Sequence, residues 1–135
     1  MGNVQISFEQ AKQQLSNYIQ GYVQLNYPTA NGTLQQQLEF ISKHGKTRPQ
    51  QLNGRVIPEE VELNVYEEYI LLQWREIGQS RSISDGIQQS ITDSNILDYC
   101  RLMEIDLRIV DIQCIKSTDR AFISEIGIQK ELNKE

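Results

Sequence analysis

The sequence predicts a mainly α-helical fold, a small single domain over residues 1–135 that ends in a long C-terminal helix. Three observations carry this expectation. Between Thr92 and Ser117, the residues Ile96, Tyr99, Met103, Leu107, Val110 and Cys114 recur at steps of 3, 4, 4, 3 and 4, the spacing that lines one face of a helix. A second apolar row, Leu102, Ile105, Ile109 and Ile112, runs beside the first. Three further segments repeat the helical spacing between local start and stop signals, in a chain of 135 residues with 39% hydrophobic content, enough for one modest core.

The first helix is expected at 8–25. Ser7 and Gln10 have capping-box spacing, and Phe8, Ala11, Leu15, Tyr18, Tyr22 and Leu25 mark one face. Pro28 and Asn31-Gly32 turn the chain. Thr33 caps a second helix at 34–44, buried through Leu34, Leu38 and Ile41, and Gly45 stands where a left-handed residue commonly ends a helix. Residues 45–57 hold two glycines, a proline and no acid. They read as a basic loop separating a two-helix N-terminal part from an acidic C-terminal part. Pro58 and the acids Glu59, Glu60 and Glu62 suit the first turn of a third helix at 59–77. Val61, Val65, Tyr66, Ile70, Trp74 and Ile77 carry that helix to Gly78.

Residues 79–91 are ambiguous, with room for a short helix after Ser84. Thr92 or Asp93 then caps the long helix at 93–116, which either breaks at Ser117-Thr118-Asp119 or continues to about 132. A competing reading is α+β, with 104–116 and 120–129 paired as a β-hairpin, because Glu104 to Ile109 alternates polar and apolar. The helix is favoured by the length of the periodic run, by the N-cap, and by Glu104 and Arg108 as an i,i+4 pair. The expected core draws on Leu15, Leu38, Val65, Ile70, Trp74, Tyr99, Met103, Leu107 and Val110. No internal repeat is visible, and the frequent glutamines read as helix surface.

The net charge of −5 conceals a division. Residues 1–57 carry five basic and two acidic side chains, a net of +3, whereas 58–135 carry eight and sixteen, a net of −8. No apolar run approaches the roughly 18 residues of a membrane span. The N-terminus lacks the layout of a signal peptide, and in MGNVQIS Ile6 stands where a myristoylation signal wants Ser or Thr. Cytoplasmic residence is therefore expected. On one continuous helix Cys100 and Cys114 would lie about 21 Å apart, beyond the roughly 4.4–6.8 Å that a disulfide spans. They read as buried thiols.

The residue inventory argues against an enzyme, and no cofactor or metal is expected. His44, Cys100 and Cys114 lack metal-ligand spacing, and neither cysteine has a neighbouring histidine to act as base. His44 reads as a charge complementing the end of the second helix. The glycines are too scattered for a phosphate-cradling loop. Glu59-Glu60 and Glu67-Glu68 point about 100° apart on a helix and read as solvated faces. Asn31-Gly32-Thr33 matches a glycosylation sequon without an export signal.

One segment carries a binding expectation. Lys43, Lys46, Arg48 and Arg55 lie between Glu39 and Glu59 with no acid among them, and basic side chains on a flexible loop suit nucleic-acid phosphate. The second apolar row has too few short helices to cover it, so Leu102, Ile105, Ile109 and Ile112 are expected to meet another copy of the chain, most simply as a dimer.

Trp74-Arg75-Glu76-Ile77, a short linker, Ile91-Thr92-Asp93 and Leu97-Asp98-Tyr99-Cys100-Arg101 together resemble small terminase subunits of tailed phages. The likeness spans about residues 74–101 and implies an oligomeric phage protein that handles DNA. Two function classes follow. The first is a non-enzymatic oligomeric adaptor, serving phage or mobile-element DNA handling, with the basic loop on nucleic acid. The alternative is an acidic inhibitor or immunity protein that meets a basic protein through acids such as Glu67, Glu68, Asp106 and Asp111. The adaptor is preferred, because the apolar rows demand a partner under either reading.

Overall fold

A computed structural model describes residues 7–134, so the MGNVQI segment of the myristoylation reading lies outside the described residues. In chain order the elements are α1 (Phe8–Asn26), α2 (Leu34–Lys43), a hairpin of β1 (Gln51–Leu52) and β2 (Arg55–Val56), α3 (Val65–Gly78), a hairpin of β3 (Ile83–Ser84) and β4 (Ile87–Gln88), α4 (Asp93–Met103) and α5 (Ile109–Leu132). The fold is mainly α, with a C-terminal helix of 24 residues.

Both hairpins arise from the same turn chemistry. Asn53-Gly54 and Asp85-Gly86 all have positive φ, from 52° to 76°, the backbone of a two-residue turn that matches strand twist. Gln51 pairs with Val56 and Ile83 with Gln88. The expected loop at 45–57 thus contains a hairpin, and a second one replaces the short helix allowed after Ser84.

The third helix starts later than expected. Asn64 accepts the Glu67 N–H at 2.8 Å and Glu67 accepts the Asn64 N–H at 3.0 Å. This reciprocal cap overrides Pro58 as the start signal, and residues 57–64 run without turn or bend. Val65, expected in the core, becomes the first helical residue and is 85% exposed.

The expected helix at 93–116 is two helices. Glu104 adopts the left-handed conformation (φ 53°), and the N–H groups of Glu104 and Ile105 both bond to the Cys100 carbonyl. That C-terminal motif ends α4. Asp111 then accepts the Arg108 N–H at 3.0 Å and restarts the chain as α5. Glu104 and Arg108 therefore flank a break and form no i,i+4 helical pair. α5 continues through Ser117-Thr118-Asp119 to Leu132, which removes the hairpin alternative at 104–116/120–129.

Three helices run parallel. Tyr66 bonds to Asp111 and Trp74 to Asp119, the same advance of eight residues along α3 and α5. Gln24 bonds to Glu125 near the far end of α1, while Phe8 meets Tyr66 edge-on at its start. Three positive helix ends therefore gather together, and Glu9, Glu67 and Asp111 in the first turns offset them. The main core joins Ala11, Leu15 and Ile19 of α1 to Ile70, Trp74 and Ile77 of α3 and to Cys114 and Ile115 of α5. A satellite cluster of Leu34, Leu38 and Ile57 seats α2. Of the expected core, Met103 is instead 53% exposed, because it sits on the last turn before the break. Tyr99 and Leu107 pack at the core margin, and Val110 is half-buried.

Candidate protein-interaction surfaces

Buried carboxylates on α5 position the surrounding surface. Asp119 accepts Trp74 Nε1 at 3.0 Å, Arg81 Nη2 at 2.8 Å and the Ile91 N–H at 3.0 Å. The Arg81 and Asp119 side chains are 5% and 4% exposed. Arg81 also donates to the Gln89 carbonyl and lies over the Phe122 ring at 5.0 Å. One carboxylate thus holds both legs of the 82–90 hairpin, whose own residues are all exposed.

Asp111 forms the second clamp. It accepts the Tyr66 hydroxyl together with the main chain, Nε and Nη2 of Arg108. Burial by itself would raise this carboxyl, but the hydrogen bonds from Arg108 and Tyr66 outweigh it and hold Asp111 below the usual carboxylate range. Burial, reinforced by Asp111, pushes the Tyr66 phenol well above its ordinary value. Burial likewise raises the Cys114 thiol, and burial with Asp106 raises Cys100, the reverse of what a nucleophilic thiol needs. At the far end Glu125 receives Gln24 and Gln129, and Arg55 donates to Gln129 at 3.1 Å and Asn133 at 3.0 Å. These carboxylates are taken up by structural donors. Among the described residues no group of three His, Cys, Asp or Glu is placed to hold a metal ion.

Exposed apolar side chains stand at the start of α3, the end of α4 and the start of α5. The N-termini of α3 and α5 meet through Tyr66 and Asp111. α4 runs back antiparallel to α3, because Asn95 near its start donates to the Ser80 carbonyl. Its last turn lies roughly 15 Å further on, back towards the start of α3. Val65, Leu102 and Ile109 are 85%, 80% and 75% exposed, and Met103, Leu72 and Tyr69 are partly so. Large apolar side chains this exposed are candidates for a binding face.

The residues singled out from sequence are divided by the fold. Lys43 ends α2 and Lys46 follows it, both exposed. Arg48 bonds to the Pro58 carbonyl at 2.9 Å and to Glu60 at 3.3 Å, while Arg55 turns inward to α5. Of the four cations, Arg48 and Arg55 thus spend their guanidinium donors on acceptors of the chain itself. His44 caps α2, its Nδ1 2.9 Å from the Phe40 carbonyl. In the second apolar row Leu102 and Ile109 are exposed, Ile105 is half-buried in the α4–α5 link, and Ile112 packs on the core. These four lie on two helices and a link, so they do not form a row. Of the acids, Glu67 and Asp111 are buried, which corrects the solvated reading of Glu67-Glu68 and withdraws two acids from any inhibitor face.

Asp119 escaped sequence reasoning, having no local partner to announce it. The Asn-Gly and Asp-Gly turns did carry a signal, since each is flanked by Leu, Val or Ile. No described helix is long and apolar enough to cross a membrane. A family model described as phage tail assembly chaperone matches residues 41–124, from the end of α2 into α5. That span includes Val65, Leu102, Met103 and Ile109 and both the Asp111 and Asp119 clamps. No curated protein and no solved structure matches the chain.

Proposed function

The chain belongs to the phage tail assembly chaperone family, and from that premise we propose that it is a non-enzymatic holding protein. It covers an apolar segment of a tail protein until that protein assembles. The observation that carries this reading is the set of exposed apolar side chains Val65, Leu102, Met103 and Ile109, which lies wholly within the family-matched span. Exposure of 75% or more at three large apolar side chains is costly in water. A client, or a second copy of the chain when no client is present, relieves it. This keeps Leu102 and Ile109 in self-association and replaces Ile105 and Ile112 with Val65 and Met103.

The family match supports a phage assembly protein and lends nothing to a terminase subunit. Nucleic acid has no part in the reading, since Arg48 and Arg55 serve internal bonds. The family lends no support to an acidic inhibitor either. Action in the cytoplasm fits a chaperone of particle assembly. The test is co-expression with individual phage tail proteins. The wild type should keep at least one of them soluble, and the double variant Leu102→Glu/Ile109→Glu should lose that capacity and sediment at lower mass, with an unchanged circular dichroism spectrum. A folded double variant that holds the client as well as the wild type does would refute these side chains as the binding face.

A further inference from the structure

We propose that residues 59–63 form an open docking edge for an extended client segment in which basic and apolar residues alternate. This rests on the holding reading and states the chemistry of what is held. The segment is closed at both ends. The Ile57 N–H bonds to the Gln50 carbonyl at 2.8 Å, Arg48 takes the Pro58 carbonyl, and the Asn64 N–H bonds to Glu67. Between them, among the described residues, no hydrogen bond reaches the main chain of Glu59, Glu60, Val61, Glu62 or Leu63. Straight backbone with open N–H and C=O groups is a template for strand addition.

The edge is held in place. A Cβ on Gly21 would stand 3.4 Å from Pro58, so the segment rests on α1 where that helix has no side chain. Leu63 packs on the main core, while Glu59, Glu60 and Glu62 are exposed. Two grooves of about 500 and 590 Å³ flank the segment and share Tyr18 and Val61. Tyr22 and Leu25 add apolar floor to one, Leu71 and Leu72 to the other. An added strand would turn alternate side chains to opposite faces. One set enters the grooves beside Tyr22, Leu25, Leu71 and Leu72, and the other passes over the glutamates.

Charge selects the occupant. Glu59, Glu60, Glu62 and Glu68 line the grooves against Arg48 and Arg75, and Arg48 is already engaged with Glu60. Lysine or arginine at every second position of the client is the complement. An acidic segment of equal hydrophobicity is repelled.

Fluorescent eight-residue peptides test this with the full chain, by polarisation at low salt. A peptide alternating Val and Lys should bind at least tenfold more tightly than one alternating Val and Glu. N-methylation of alternate amides on its pairing edge should weaken it at least tenfold. Glu60→Lys/Glu62→Lys, at exposed positions, should invert the preference. Equal binding of the two peptides, indifference to N-methylation, or indifference to Glu60→Lys/Glu62→Lys overturns the docking edge. If both peptides fail while a tail protein is still held, the edge is wrong and the holding function stands. If the basic peptide binds selectively but no tail protein is held, the holding function is wrong and the edge stands.

Discussion

Replacing Asp119 with Ala strands three donors at once: the Trp74 indole, the Arg81 guanidinium and the Ile91 main chain. Removing one member of a buried ion pair typically costs about 3–5 kcal/mol, because the remaining charge stays desolvated. Each unsatisfied N–H adds up to about 1–3 kcal/mol before relaxation. Arg81→Met should cost less, because Asp119 keeps two N–H donors. The double variant Asp119→Leu/Arg81→Met removes both charges and should be roughly 2–3 kcal/mol less destabilised than the sum of Asp119→Leu and Arg81→Met. A domain of this size has about 5–15 kcal/mol to lose, so Arg81→Met should stay folded with a lowered urea midpoint, while Asp119→Ala takes up much of that margin and is titrated from a low starting midpoint. Trp74 is the sole tryptophan and donates directly to Asp119, so its fluorescence follows the transition at the perturbed site. Double-mutant urea titrations, read by fluorescence and circular dichroism, measure the coupling. A cost below about 1 kcal/mol for Asp119→Ala, or additivity within about 0.5 kcal/mol, would refute the clamp.

Two further outcomes follow from the α4–α5 junction. Glu104→Gly should stabilise by roughly 0.5–1 kcal/mol, because glycine relieves the left-handed strain at φ 53°. In a continuous 93–116 helix the same change would cost about 1 kcal/mol, so the sign of the thermal shift separates the two. Asp111 titrates below the usual range when folded, so its contribution is present above the unfolded value of about 3.9 and is lost as pH falls through the lower folded one. Asp111→Asn should therefore flatten the acid limb of the stability curve below about pH 4. Parallel wild-type and variant limbs, compared by urea midpoints from acid to neutral pH, would refute that role.

The break at Glu104 shows where one-dimensional periodicity stops informing. Ile96 and Tyr99 face inward from α4, Leu107 packs from the link, and Cys114 is buried in α5. The apolar row was thus mostly inside, yet it crosses two helices. Nothing local announced the break, because glutamate favours helix and the capping partner, Asp111, lies three residues into the next helix. α5 was hard to read for a second reason. Its buried face carries Asp111, Thr118, Asp119, Glu125 and Gln129, while Ile109 and Ile128 face water. Each buried polar group is satisfied by a residue at least three positions away, and most of the partners lie on other elements. For the binding surface, Leu102 and Ile109 were legible as unpartnered, but Val65 became part of it only once Asn64 and Glu67 moved the helix start.

By itself the sequence determined the elements whose signals are local. Ser7, Thr33 and Thr92 cap helices as expected, Gly45 ends α2, and the mainly α class with its long final helix holds. Capping and periodicity act within a few residues, so they can be read along the chain. Tertiary structure alone decided the parallel alignment of α1, α3 and α5, the fate of Arg48 and Arg55, and the open edge at 59–63. It also left exposed apolar side chains at three helix termini. Those features depend on donors and acceptors tens of residues apart, such as Trp74 and Arg81 with Asp119. Their pairing is set by the energy of burying charge in one shared core, which no short window of sequence contains.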